Sequence, residues 1–431
     1  MNPPYPARGY AWTVVALLIA TAILSYTDRQ VLTLLVDPIR RDLGLTDTGM
    51  SLLLGSAFAI VYGIAGIPLG YLADRTSRRN LIVCGIVVWS LATIACGLSR
   101  TFAQLFAARL FVGLGEAVLS PAAISLISDY FPPSRRGTAV GLFLSGIAIG
   151  VGLAILIGGT VLHAVDAGFL ASTAIGRMPP WRLVLLLIGL PGVVWSLVLF
   201  LIREPARRVD ETLSHTSVST SASWFTLAPI YFVVGMASLV DNAVGAWAPS
   251  LLIRGFSKDP GAVGIQLGIL LTIGYGSGVF LGGVLADRVG LAGGWPKKLR
   301  ICLVSAILIV PVALVLNASH YLPVLLAIPA YFALSGIVTA VGFSSMLDIV
   351  PNRSRALAIS ISFFINVAIG AGAGPTVVPL AGHALFGDAA GLGPPLALTA
   401  AAGYGAVIVA LLWTFRPARR LPETAQSGTD G

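Results

Sequence analysis

The sequence predicts an all-α membrane protein: twelve transmembrane helices arranged as two pseudo-symmetric six-helix halves. Three observations predict it. The 431 residues are 56% hydrophobic and only 10% charged, whereas a soluble domain carries about 25% charged residues. Apolar runs recur along the whole chain, each near the ~20 residues that cross a bilayer as a helix. Short polar motifs recur at corresponding places in the two halves of the chain.

The runs lie near residues 11–36, 49–73, 80–98, 102–128, 138–163, 181–202, 224–254, 262–287, 298–318, 321–349, 354–382 and 394–415. They are too long and too uniformly apolar for barrel strands, so helices are the expected spanning form. The first run carries Asp28 and Arg29 and lacks a clear small-residue cleavage site, which predicts a retained span rather than a signal peptide. Residues 203–223 form the one long polar linker. It divides the chain into an N-terminal half (1–202) and a C-terminal half (224–415), and a polar tail follows at 416–431.

With the N-terminus placed in the cytoplasm, 18 of the 27 Lys and Arg fall on the inside, seven outside and two, Arg29 and Arg109, within spans. The positive-inside rule then puts both termini in the cytoplasm of a plasma (inner) membrane protein. The same distribution accounts for the net charge of +9 without a nucleic-acid partner. The partners expected are the lipid bilayer and a small amphiphilic or anionic substrate, handled by a monomer. Cys84, Cys96 and Cys302 all lie in apolar runs and offer no disulfide framework. No metal-ligating histidine pair, Walker lysine or nucleophile-elbow serine is present. An enzyme is therefore not expected, and no cofactor beyond protons as a coupling ion.

The repeat is specific. Gly70–Arg75 reads GYLADR and Gly283–Arg288 reads GVLADR, an offset of 213 residues, which also maps Asp28-Arg29 onto Asp241-Asn242. Asp129-x-x-Pro132-x-x-x-Arg136 returns as Asp348-x-x-Pro351-x-x-x-Arg355. Duplicated halves are how many secondary transporters are built, with the solute site between them near the midplane. Gly66/Gly70, Gly146/Gly150, Gly274/Gly278/Gly282 and Gly370/Gly374 have the spacing of close helix packing.

Gly70-x-Leu72-Ala73-Asp74-Arg75-x-x-Arg78-Arg79 resembles the signature of the major facilitator superfamily between spans 2 and 3. Tyr26-x-Asp28-Arg29 in span 1 and Arg109-x-x-x-Gly113-x-Gly115-Glu116-Ala117 in span 4 resemble the spinster family of lipid transporters. Sugar-acid symporters share both of these motifs. The resemblance is densest over residues 20–145. It implies a proton-linked carrier of an anionic or zwitterionic solute, with a lysophospholipid or sphingoid lipid favoured. A small organic anion such as a sugar acid is the alternative, and multidrug efflux a further one. It also makes Tyr26, Tyr62 and Asn366 candidates for the substrate cavity, although ordinary interhelical hydrogen bonding is the plainer reading of any one of them.

Charge inside a span costs about 2.5–3.5 kcal/mol on insertion scales, so Asp28, Arg29, Arg109 and Glu116 are expected to face the bundle interior. Arg109 and Glu116 are seven residues apart and share a helix face, roughly 10 Å apart along the axis. Arg29 and Arg109 fall at similar depth. The functional reading makes Asp28 and Glu116 proton-exchanging carboxylates beside two arginines that bind an anion; the plain alternative is a pair of static salt bridges. Asp241 reads as a third proton site or as a structural carboxylate. Asp74 and Asp287, with Arg75 and Arg288, are expected to act in gating. The superfamily resemblance implies that Asp74 latches onto the start of span 11 near Ser354, and by the repeat Asp287 onto span 5 near Gly137, each accepting from a helix N-terminus. Asp129 and Arg136 complete the gating set.

Overall fold

A chain in lipid must satisfy its backbone hydrogen bonds within each segment, and the architecture follows. The computed structural model describes residues 5–207, 224–350, 358, 361, 362, 364–387 and 391–415. Among these there is no strand, and twelve helices are long and apolar enough to cross a membrane. The six of the N-terminal half are Arg8–Leu34, Asp47–Gly66, Arg78–Leu98, Phe102–Tyr130, Ile149–Asp166 and Pro180–Phe200. Those of the C-terminal half are Leu227–Phe256, Pro260–Val289, Gly294–Asn317, Tyr321–Met346, Asn366–Phe386 and Gly393–Thr414. Span 2 continues helically to Arg75, and the helix of span 5 starts at Pro133.

Three spans depart from regular α-helix. Span 2 has a π turn at Leu52–Ser56, just after its first α-helical turn Asp47–Ser51, and span 11 has π turns at Asn366–Ala371 and Gly382–Phe386. Span 4 divides into Phe102–Glu116 and Leu119–Tyr130. Such wide turns are frequent at functional positions.

The linker's first residues are strapped onto the end of the bundle where span 1 begins. Ser77 caps span 3, and Glu204 accepts from the Arg79 amide at 2.8 Å, the Arg78 amide at 3.2 Å and Arg78 Nε at 2.9 Å. Arg207 donates to the Ala73 and Thr76 carbonyls at the end of span 2's helix, at 2.7 and 2.6 Å. Burial alone would raise the Glu204 carboxyl. The Arg79 amide, the Arg78 guanidinium and the Ser77 hydroxyl outweigh it and hold that carboxyl below the usual glutamate range. Arg78 also pairs with Asp129. The repeat supplies the counterpart: Lys298, at the start of span 9, pairs with Asp348 at 2.6 Å. The duplicated aspartate thus meets a basic residue at the same place in each half.

The two ends of the bundle differ. At the end away from the linker, Arg254 of span 7 crosses to the other half. Its Nε lies 2.5 Å from Asp37, and Nη1 and Nη2 reach Asp47 at 2.7 and 2.9 Å. Spans 5 and 8 touch backbone to backbone there. A Cβ on Gly159 would lie 2.6 Å from the Gly264 carbonyl carbon, and one on Gly268 2.4 Å from the Leu156 amide nitrogen. Spans 2 and 11 do the same: a Cβ on Gly55 would lie 2.6 Å from the Ala371 carbonyl.

Toward the linker end the same helix faces part. Along span 2, residues 55, 59, 63, 66 and 70 form one stripe at helical spacing. Gly55 and Ala59 meet span 11, whereas nothing lies within 4 Å of a Cβ placed on Gly63, Gly66 or Gly70. Along span 8 the contact with span 5 loosens to 3.8 Å at Gly276 and is gone at Gly283. Gly141, on the matching face of span 5, is likewise open. The halves therefore meet at the far end and gape at the linker end. This corrects the packing expectation for Gly66/Gly70, which face open space. The Gly274/Gly278/Gly282 expectation holds, since a Cβ at each would meet Pro329, Ala333 or Ile337 of span 10 at 2.1–2.9 Å.

Candidate functional site

The polar groups buried in the N-terminal half converge where spans 1, 2 and 4 meet. Asp28, Arg109 and Glu116 are each 3% exposed or less. Arg29 Nη2 lies 2.6 Å from Glu116 Oε2. Its guanidinium carbon sits 4.0 Å from the centre of the Phe58 ring, 4.9 Å from Tyr26 and 5.6 Å from Tyr62. Arg109 approaches the same Phe58 ring at 5.9 Å, so the two arginines share one aromatic wall. Arg109 Nε donates to the Leu53 carbonyl at 3.3 Å, within the π turn of span 2. Asp28 lies within electrostatic reach of Arg109 and Glu116.

Gly113 and Gly115 let the helices approach this closely. A Cβ on Gly113 would lie 2.6 Å from the Phe58 carbonyl, and one on Gly115 2.7 Å from the Gly85 carbonyl. The arginines are incompletely satisfied. Arg29 Nε, Arg109 Nη2 and Glu116 Oε1 are buried with no hydrogen-bond partner. Buried donors are costly to leave unpaired, and guanidinium donors are suited to a carboxylate or phosphate.

The C-terminal half holds a second cluster. Asp241 accepts from Tyr331 at 2.8 Å and from Ser335, whose Oγ lies 2.7 and 2.6 Å from its two oxygens. Tyr404 donates to Ser335 at 2.8 Å. Asn366 of span 11 donates to Ser238 of span 7 at 2.8 Å. Asn242 donates to the Ser238 carbonyl at 2.9 Å, within its own helix.

The expected gating residues are scattered. Asp129 bonds within its own half, to Arg78. Arg75 is exposed with its guanidinium 4.0 Å from the Tyr71 ring, and Asp287 and Arg288 are exposed at the end of span 8. The side chains of Asp74 and Arg136, and the segment around Ser354 where Asp74 would dock, lie outside what the structure describes, as do the surroundings of Gly137. Phe58, Leu53, Tyr331, Ser335, Tyr404 and the Arg254 cluster were not singled out from the sequence. Tyr331 and Ser335, four residues apart in an apolar run, carried a signal; an unmarked Phe58 carried none.

A model of the Major Facilitator Superfamily matches residues 18–375. The chain is 27% identical over 402 residues to an MFS-type efflux pump of Mycolicibacterium smegmatis, covering 91% of this chain and 90% of that protein. It is 28% identical over 312 residues to a probable L-galactonate transporter of Escherichia coli, covering 68% of this chain and 65% of that one. Its fold matches the crystal structure of a bacterial homologue of the human lysosomal transporter spinster, in an inward-facing and occupied conformation. The TM-score is 0.77 with 26% identity, covering 95% of this chain and 96% of that one. With twelve apolar helices in two duplicated halves and a spinster-like fold, this integral membrane chain belongs to the major facilitator superfamily of transporters.

Proposed function

We propose that the chain is a proton-coupled secondary transporter working by alternating access, with an anionic amphiphile of the lysophospholipid or sphingoid-lipid class as its solute. The observation that carries this is the group of unpaired polar atoms on Arg29, Arg109 and Glu116. An anionic head group accepts from Arg29 Nε and Arg109 Nη2, while a proton on Glu116 ends that carboxylate's claim on Arg29. Solute and proton binding then favour one another, and the linkage is reciprocal. Asp28, within reach of Arg109, is the neighbouring carboxylate that tunes the site. The aromatic wall of Tyr26, Phe58 and Tyr62 suits the apolar part of an amphiphile. The charge bias supports cytoplasmic termini in a plasma membrane, which makes the open cleft inward-facing. The protein acts as a monomer, with protons as its only coupling ion.

A small organic anion is the second reading, favoured by the likeness to the L-galactonate transporter. Binding to purified protein in lipid nanodiscs separates the two, with lysophosphatidylglycerol and galactonate as probes. The expected result is lysolipid binding that weakens roughly 10- to 150-fold in Arg29→Ala or Arg109→Ala. That range corresponds to the ~1.5–3 kcal/mol of a charge-assisted hydrogen bond. Galactonate binding alone would select the second reading, and unchanged binding in both arginine variants would remove the site from either.

A further inference from the structure

We propose that Asp241, with Ser335, Tyr331 and Tyr404, forms a second proton-binding site, in the C-terminal half and separate from the anion site. This deepens the proton-coupled reading and rests on it for the role in transport; proton binding itself is measurable without transport.

Asp241 differs from Asp28 and Glu116 in having no cation. Its neighbours from span 10 are Tyr331 and Ser335, bonded to its oxygens. Span 12 offers Tyr404, and span 8 offers Tyr275, which senses both Asp241 and Tyr26 of span 1. Asn366 on span 11 does not titrate and is bonded to Ser238. Among the described residues no Lys, Arg or His acts on the carboxylate. An ionised carboxylate in a membrane interior is costly without a cation, and neutralisation by a proton is the usual remedy.

The hydroxyls accommodate both forms. When Asp241 is charged, Tyr331 and Ser335 donate to it and Tyr404 donates to Ser335. When it is neutral, the new O–H on Oδ2 donates to Ser335 Oγ at 2.6 Å, and the Ser335 hydrogen turns to Oδ1 at 2.7 Å. Tyr331 keeps its bond to Oδ1. One proton is added or removed, only the Ser335 hydroxyl turns, and each of these hydroxyls keeps an acceptor. A carboxylate serving only as a structural acceptor would not need a partner that reaches both oxygens and can donate to one while accepting from the other. Because the arginines lie in the other half, a proton here does not compete with the solute's acid group.

Infrared titration of the full-length protein in lipid tests this. A protonated carboxyl band should appear as pH falls, vanish in Asp241→Asn and persist in Asp28→Asn and Glu116→Gln. Ser335→Ala and Tyr331→Phe retain the carboxyl and should displace the band, which keeps the test open if Asp241→Asn fails to fold. Titrating carboxyl bands unchanged in Asp241→Asn, or a band undisplaced in both hydroxyl variants, would overturn the site. Loss of the band at fixed pH when sodium chloride replaces choline chloride would overturn it in favour of a cation site. If the band behaves as expected while Glu116→Gln still answers a pH gradient, the N-terminal coupling fails and this site stands.

Discussion

Arg29 is held by one carboxylate oxygen and by three aromatic faces, and the nearest of these is Phe58 at 4.0 Å. A cation over an aromatic ring gains about 0.5–2 kcal/mol depending on desolvation. Phe58→Leu keeps most of the volume and removes the ring's electrostatics, so Arg29 should lose orientation rather than charge. The expected outcome is roughly 2- to 30-fold weaker binding of an anionic solute with normal protein yield, checked by titration calorimetry. The four charges of this site were legible because charge in an apolar run has few bland explanations. Helical arithmetic put both arginines at one level, and the Phe58 ring they share agrees. It left open which carboxylate each arginine meets. Arg29 takes Glu116 in span 4 and not its chain neighbour Asp28, because adjacent residues on a helix point in different directions.

At the scale of elements, the far end is closed by Arg254 against Asp37 and Asp47 and by the glycine contacts of spans 5 and 8. The ion pairs cross between halves, so breaking them should favour the state open at that end. Arg254→Gln should lengthen spin-label distances across the far end and shorten those across the linker end, read by pulsed electron resonance. An unchanged distribution would leave closure to the glycine contacts alone. The linker strap gives a pH test. Glu204's carboxyl is held below its ordinary range, so its stabilisation is complete above that range and is lost as pH falls through the depressed value. Glu204→Gln should be less stable than the parent by about 1–2 kcal/mol near neutrality. The gap, read as a melting-temperature difference in detergent, should close in acid. Neither device was legible from the chain. Asp37, Asp47 and Arg254 lie near span ends, where a charge needs no special partner, and pairing between halves depends on the conformational state. Gly66 and Gly70 have the same spacing as the glycines that pack, and only the gape between halves distinguishes them.

The whole molecule was the most legible level. Spans come from long apolar runs, and the duplication comes from motifs repeated at an offset of 213 residues. The structure adds an asymmetry that the repeat does not contain: buried arginines with unpaired guanidinium donors at the site in one half, and a carboxylate held by hydroxyls in the other. In the proposed mechanism the carrier binds its solute together with a proton at Glu116, and this coupling distinguishes it from a static brace. Parent protein and Glu116→Gln, reconstituted in liposomes, can be compared for solute exchange at equal pH and for accumulation driven by a pH gradient, with labelled lysophosphatidylglycerol as solute. The account predicts that Glu116→Gln keeps exchange, because its neutral side chain imitates the protonated site and leaves Arg29 free, and that it loses gradient-driven accumulation. Accumulation equal to that of the parent protein would contradict it, and would make the Arg29–Glu116 pair a structural brace between spans 1 and 4.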